Sequence, residues 1–363
     1  MKILIAGGGT GGHIFPGIAI AQALHEIDSS ITIEFVGTEK GAEAKLVPAQ
    51  NYKLNVIEIA GFNRSNWKAN LTFPIKLIKG FRQSLKLLND YKPDAVIATG
   101  GYVAGPVTRL AQWKKIITFV QEQNAVPGFT TKELAKKAEL VFVTYENSIE
   151  SFGNIERGKI ICAGNPVRKN LNEAQKEASL NFFGFQPNKP TILVIGGSLG
   201  ARSINKAVSE NYVDWVNRGY QIIWQTGKTD HEFAPIEERY KPNIYRSAFI
   251  NEMNMAYTAS DLLISRAGAT SLAEITYCGK PSILVPFPFA ADDHQTKNAE
   301  AMKSAGASIV IKDEYLLDQI GDTVNQIILD KNMLNRMSEA SKQLSKPNAA
   351  KEIAACILEK CGK

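Results

Sequence analysis

The apolar positions of the chain follow two alternating periods. Lys2–Ala6 is a short apolar run closed by glycines, and Ile14–Leu24 follows with helical spacing, Pro16 being acceptable in a first helical turn. Ile31–Val36 predicts a strand ended by Gly37, Pro74–Leu88 a helix, and Ala95–Ala98 a buried strand closed by Gly100 and Gly101. Ile116–Val120 and Leu140–Val143 predict further strands. Near Asn165-Pro166 the pattern breaks at a turn and then restarts, with Thr191–Ile195 as strand, Gly196–Gly200 as glycine turn and Ala201–Val208 as helix. Ile222–Gln225, Leu262–Ser265 and Ser282–Pro286 predict later strands, and Ala349–Leu358 a closing helix. Strand–helix alternation of this kind implies a parallel sheet covered by helices on both faces. Its repetition predicts an α/β chain of two Rossmann-like, doubly wound parallel-sheet domains, which suits 363 residues at ~100–200 per domain.

Three glycine turns follow apolar strands, where open α/β sheets bind ligands. The first, Gly7-Gly8-Gly9-Thr10-Gly11-Gly12-His13, formally spells G-x-G-x-x-G. A dinucleotide site also wants an acid at the end of the second strand, but Glu34 lies inside that strand and Glu39 beyond it, so an NAD site fits poorly. The second turn is Gly100-Gly101-Tyr102, continuing to Gly105-Pro106; the third is Gly196-Gly197-Ser198-Leu199-Gly200-Ala201. Three such loops in two domains point to one ligand held in an interdomain crevice. The third also spells the G-x-S-x-G of a nucleophile elbow, with Asp292, Asp293 and His294 downstream, but a hydrolase leaves the N-terminal loops without a role. Ser198 and the neighbouring N–H groups suit a phosphate better.

A second cluster lies toward the C-terminus. Thr270 or Ser271 can cap a helix after the small pair Gly268-Ala269, which puts Glu274 in its first turn or so. There Glu274 either complements the helix dipole or accepts hydrogen bonds from ribose hydroxyls. Gln295 and Asn298, three apart, share one helix face and carry amides suited to sugar hydroxyls, or else form a solvated helix start. Asp292-Asp293 has no third ligand at credible spacing, so no metal is expected.

Charge adds one element. Lys and Arg number 42 against 36 Asp and Glu, but the segment from Gly61 to Lys92 holds seven of the bases and one acid, leaving 35 of each elsewhere. The whole net charge of +6 therefore sits in one segment. Within it Ile78, Phe81, Leu85 and Leu88 form a stripe expected to face the core; Lys79, Arg82 and Lys86 form an adjacent basic stripe, and Trp67, Leu71 and Phe73 precede them. This suits an anionic membrane surface, or an ordinary solvated face; the glycine turns give nucleic acid no support. Met1–Ala6 is too short for a signal segment, and the longest apolar stretch, 283–291, is broken by Pro286 and Pro288, so a soluble protein or one resting on a membrane is expected. Cys162, Cys278, Cys356 and Cys361 are scattered, which fits a reducing compartment.

Taken in order, Gly-Gly-Thr-Gly-Gly-His-Ile-Phe-Pro-Gly at 8–17, Gly100-Gly101-Tyr102 with Gly105-Pro106, Glu122-Gln123-Asn124, Gly164-Asn165-Pro166-Val167-Arg168, the 196–201 turn and Arg266-x-Gly268-Ala269 through Glu274 closely resemble the MurG family of bacterial UDP-N-acetylglucosamine transferases of peptidoglycan synthesis. The resemblance covers nearly the whole chain. One position departs from it: the family often has His before Glu-Gln-Asn, and here Gln121 stands there. The resemblance implies a GT-B fold, with an acceptor- and membrane-binding domain at 1–165, a UDP-GlcNAc-binding domain at 166–344 and a helix at 345–363 returning to the first. It implies inverting transfer of GlcNAc from UDP-GlcNAc to the C4 hydroxyl of the muramoyl sugar of lipid I, giving lipid II, without cofactor or metal. The expected partners are UDP-GlcNAc, lipid I, the anionic cytoplasmic face of the inner membrane and other cell-wall synthesis proteins. By motif, Ile250 would contact uracil through its backbone, Glu274 would hold the ribose, and Ser198 and the amides around Gly268-Ala269 the diphosphate. Arg168 would sit near the nucleotide, Gln295 with Asn298 would read the GlcNAc hydroxyls, Thr10, Gly11 and Gly12 would close over the donor, and Asn124 would face the same cleft. His13, at a helix start whose dipole favours the neutral, accepting form, is the candidate base or else only positions a sugar; Glu122 is its rival. The alternatives are a UDP-GlcNAc epimerase or hydrolase on the same fold, or a non-catalytic nucleotide-sugar binding module.

Overall fold

A computed structural model describes residues 1–61, 73–168, 171–197, 199–227, 236–290 and 293–362. Trp67 and Leu71, expected at a membrane, and Ser198, expected at a phosphate, lie outside the described residues. The chain divides into two compact units, Met1–Arg168 with Lys346–Lys363, and Lys169–Ser345.

The first unit runs β1 (Lys2–Gly7), α1 (Gly11–Ile27), β2 (Thr32–Gly37), α2 (Glu43–Leu46), β3 (Lys53–Val56), α3 (Phe73–Tyr91), β4 (Ala95–Gly100), α4 (Gly101–Trp113), β5 (Ile117–Glu122), α5 (Phe129–Ala135), β6 (Leu140–Val143) and β7 (Ile160–Cys162). Its sheet is parallel, in the order β3-β2-β1-β4-β5-β6-β7. The strand order reverses between β1 and β4, and at their carboxyl ends Gly7 pairs with Gly100 across a register shift after Ala6. That pairing places the first two glycine turns side by side at the switch point, where ligands bind in such sheets.

The second unit runs α6 (Lys176–Phe182), β8 (Thr191–Ile195), α7 (Arg202–Asn217), β9 (Gln221–Gln225), β10 (Ile244–Ser247), α8 (Met253–Ala259), β11 (Leu262–Ser265), α9 (Ala269–Tyr277), β12 (Ser282–Leu284), α10 (His294–Ser304), β13 (Ser308–Val310), α11 (Leu316–Leu329) and α12 (Lys331–Gln343). Its parallel order is β10-β9-β8-β11-β12-β13, with the switch point between β8 and β11. The closing helix α13 (Ala349–Lys360) belongs to the first unit, where Ile353, Ala354, Ile357 and Leu358 join the core beneath α1 and β1.

The inner strands are short, largely β-branched and aliphatic runs buried on both faces, as helix-covered parallel sheets require, whereas the edge strands are only partly buried. Two local expectations are corrected. Helix α1 begins at Gly11 rather than Ile14, so Pro16 falls in its second turn. Helix α3 keeps only part of the expected stripe inward: Leu88 is buried and Phe81 packs on the core, but Ile78 is 58% and Leu85 40% exposed, and Gly80, Ser84 and Tyr91 are buried beside Leu88. The physical reason is close approach. A Cβ at Gly80 would come within 3.3 Å of Glu58 O and Ile59 Cβ, and Ser84 Oγ turns back to donate to Gly80 O at 2.7 Å. Small residues let this side of the helix lie against the body, and the face is turned enough to leave Ile78 and Leu85 on the outside.

Candidate active site

In the first unit the site is built from three loop ends. Thr10 caps α1 in an extended conformation without a side-chain hydrogen bond, and His13 N and Ile14 N donate to its carbonyl. Gly11 and Gly12, the first residues of the helix, put no side chain over its amides, which suits an approaching sugar or anion. The loop is anchored by a residue that sequence reasoning missed. Glu43, fully buried at the start of α2, accepts from Gly9 N at 2.9 Å with one oxygen and from Thr38 N and Thr38 Oγ1 at 2.8 Å with the other. Gly8 makes room for it, since a Cβ there would fall 2.6 Å from Glu43 Oε1.

His13 sits against β4. Gly100 has φ +108°, and a Cβ on it would lie 2.6 Å from His13 Nδ1, so glycine is required for both conformation and space. On the other side Gln123 Oε1 lies 3.2 Å from His13 Nδ1. The Gln123 amide is buried and fixed: its nitrogen donates to Thr99 O at 2.6 Å and to Gln121 Oε1. Gln121 in turn donates to Asn165 Oδ1 at 3.4 Å. Gln121, where the resembled family often carries His, thus takes part in a buried chain of amides.

Glu122 is engaged by donors of its own loop. It is 3% exposed, one oxygen accepts from Asn124 N at 2.9 Å and Asn124 Nδ2 at 3.1 Å, and the other accepts from Gly128 N at 3.2 Å. It shapes the loop after β5, and Asn124 gives its backbone N–H and one amide hydrogen to that loop. Arg168 stacks its guanidinium 4.4 Å from the Phe15 ring centroid, a cation–π contact that holds it beside α1.

In the second unit the loops after β8 and β11 stand at the switch point. Gly197 and Gly200 flank the third turn at φ +91° and +88°. Gln225, at the end of β9, donates to Gly197 O at 3.1 Å and accepts from Ile250 N at 3.0 Å. The Ile250 N–H is therefore committed, and a backbone contact from Ile250 to a base would use its carbonyl. Helix α9 is capped by Gly268, not by Thr270 or Ser271, and starts at Ala269 with no capping side chain. Backbone N–H groups thus form its end, which favours an anion. Glu274 lies in the second turn rather than the first, is 6% exposed, and accepts from Tyr257 OH at 3.0 Å.

Gln295 and Asn298 differ in their surroundings. Gln295 is half-buried and accepts from Phe287 N at 3.0 Å, whereas Asn298 is fully buried and donates to Ala267 O at 3.3 Å. Asn298 therefore holds the loop before α9. Arg266 is a second anchor that carried no role in the sequence. It donates to Asp313 Oδ1 at 2.5 Å, to Val285 O and Pro286 O at 3.2 Å, and to Ser203 Oγ at 2.9 Å, tying the ends of β11 and β12 to α7. The proposed membrane residues Lys79, Arg82 and Lys86 are exposed on α3, and Phe73 is half-buried at its start.

Comparison with known proteins places this geometry. The Glycosyltransferase family 28 N-terminal domain matches residues 3–143 and the family 28 C-terminal domain residues 191–353. The chain is 40% identical over 363 residues, 99% of each chain, to a Chlorobaculum parvum protein named UDP-N-acetylglucosamine--N-acetylmuramyl-(pentapeptide) pyrophosphoryl-undecaprenol N-acetylglucosamine transferase. It is 40% identical to the protein of that name from Flavobacterium psychrophilum, over 99% of this chain and 97% of the other. The crystal structure of Acinetobacter baumannii MurG superposes with a TM-score of 0.72 at 27% identity, covering 99% of both chains. A Neisseria meningitidis UDP-GlcNAc 2-epimerase, 17% identical with a TM-score of 0.68 over 99% of this chain and all of the other, shares the fold. The two parallel-sheet units are those of a GT-B glycosyltransferase, and the chain belongs to glycosyltransferase family 28, among the MurG N-acetylglucosamine transferases.

Proposed function

We propose that this enzyme transfers GlcNAc from UDP-GlcNAc to the C4 hydroxyl of the N-acetylmuramoyl sugar of undecaprenyl-diphospho-MurNAc-pentapeptide, with inversion at the anomeric carbon. What carries the reading is full-length identity of 40% to relatives bearing that activity in their names. The second unit takes the donor. The diphosphate lies at the amide ends of the 196–201 turn, with Ser198, and of α9 at Ala269, where oriented N–H groups stabilise the charge that grows on departing UDP. Glu274, oriented by Tyr257, accepts from the ribose, Ile250 offers its carbonyl to the base, and Gln295 reads the sugar. Arg168 adds positive charge near the nucleotide.

The first unit takes the acceptor. His13 removes the proton of the attacking hydroxyl, and Thr10, Gly11, Gly12 and Asn124 shape the approach. Helix α3 lies at the membrane that carries the acceptor, on the cytoplasmic face. Ile75, Ile78 and Leu85 are exposed among Lys76, Lys79, Arg82 and Lys86, and Trp113 of α4, 63% exposed, has its ring near that of Phe81, 6.5 Å between centroids. Apolar side chains rimmed by lysine and arginine suit an anionic bilayer surface, and no helix of the described residues is long and apolar enough to cross one.

The reading is tested by incubating the enzyme with UDP-GlcNAc and a lipid-linked MurNAc-pentapeptide analogue and assigning the product by NMR. A β-linkage to C4 of the muramoyl sugar is expected; an α-linkage, or a free sugar as sole product, would overturn it.

A further inference from the structure

We infer that Gln123 is a positioning residue that locks neutral His13 in the tautomer with its proton on Nδ1, keeping the lone pair on Nε2. The inference rests on the reading of His13 as proton acceptor, but the tautomer itself can be measured without it.

The argument is one of donors and acceptors. The carbonyl of Thr99 can only accept, so the atom of Gln123 that lies 2.6 Å from it must be the amide nitrogen. The same nitrogen serves Gln121 Oε1, and Gln121 Nε2 in turn donates to Asn165 Oδ1. Turning the Gln123 amide over would set its oxygen 2.6 Å from the Thr99 carbonyl oxygen, acceptor against acceptor. Gln121, Gln123 and Asn165 are each buried to 3% exposure or less, so water cannot compensate. Gln123 Oε1 therefore faces His13 Nδ1 as an acceptor, and at 3.2 Å the neutral ring satisfies it only with hydrogen on Nδ1. Gly100 closes the other side of Nδ1, leaving no room for a Cβ there.

This arrangement does with an amide what a carboxylate does behind many catalytic histidines. An aspartate would also favour the charged imidazolium; a neutral amide fixes the tautomer without adding charge. The second-layer groups, Gln121, Gln123 and Asn165, are all amides that do not titrate in the working range, so the proton's place on His13 does not depend on their ionisation.

The test is long-range 15N–1H NMR of the full-length enzyme labelled at histidine, with His13 assigned by comparison with His13→Ala. The expected spectrum has a protonated Nδ1 and an unprotonated Nε2 at pH values where the ring is neutral. An Nε2–H tautomer in the wild type overturns the inference, whatever any variant does. Gln123→Leu, which removes the acceptor at similar volume, is expected to shift His13 toward the Nε2–H form. It should lower kcat about 10–100-fold while leaving the Kd for UDP within about twofold. Unchanged kcat with a shifted tautomer would overturn the positioning role. Should Gln123→Leu fail to fold, the wild-type spectrum still decides. Failure of the reading beneath it is separately visible: His13→Ala would then retain full transfer activity.

Discussion

Glu43 holds Gly9. Its buried carboxylate accepts the Gly9 N–H at 2.9 Å while its other oxygen takes both donors of Thr38, so one acid on a four-residue helix stitches the first glycine turn to the end of β2. Glu43→Ala would leave Thr38 N unpaired in a buried setting and Gly9 N in a partly buried one, at a cost of roughly 1–3 kcal/mol. We expect lower stability in denaturant titration together with a loss of kcat, because the turn carrying Thr10 to His13 is released. Unchanged unfolding with unchanged turnover would remove Glu43 from the site.

Gly100→Ala tests the packing of His13, the proposed base. The substitution costs about 1–3 kcal/mol for a positive φ and drives a methyl group toward His13 Nδ1. Displacing a catalytic group by about 1 Å lowers turnover roughly 100-fold. The control is Gly153→Ala, at φ +62° with nothing near its added carbon, which should lose comparable stability and keep kcat. Equal turnover in both variants would separate His13 from catalysis.

These two contacts also mark how far the sequence could be read. The inner strands of both sheets, the glycine turns at their ends and the closing helix follow from hydrophobic period and punctuation, because buried strand interiors and turns are set by local chemistry; the edge strands β3, β7, β10 and β13, three or four residues long and only partly buried, carry too little pattern to be read. Glu43 was not legible, since its partner lies 34 residues away and only the β2 connection brings them together. Arg266 stood in a recognisable motif, yet its partners Ser203 and Asp313 are 63 and 47 residues distant. On α3 the period was correct but the stripe held only in part: Leu88 and Phe81 meet the core, while Ile78 and Leu85 face outward. There the buried side was selected by Gly80 and Ser84, whose smallness allows close packing.

The exposed face of α3 carries the next prediction. Arg82→Ala with Lys86→Ala removes two charges worth about 1 kcal/mol each near an anionic bilayer. Binding to vesicles containing anionic lipid should fall roughly 30-fold in sedimentation assays. Turnover of a water-soluble acceptor should be kept. Undiminished vesicle binding would exclude this face as the docking surface.

Alkaline stability follows from Tyr145, two residues past the end of β6. Burial pushes its phenol up to about 12, above the ordinary value of ~10. The unfolded chain ionises first, so this contribution is fully present below pH ~10 and is lost as pH rises toward the folded value. Equilibrium unfolding should show a decline above pH ~10 that Tyr145→Phe reduces. A decline of the same size in Tyr145→Phe would assign it to other groups.

The central claim is acceptor-dependent glycosyl transfer with His13 as the base. The direct measurement is release of UDP from UDP-GlcNAc with and without the lipid-linked MurNAc-pentapeptide in detergent, for wild type and His13→Ala. UDP release by the wild type only when the acceptor is present, and a fall in kcat of about 100-fold or more in His13→Ala with UDP binding retained, is the expected result. Equal release without acceptor would contradict transfer, and full turnover by His13→Ala would contradict the assignment of the base.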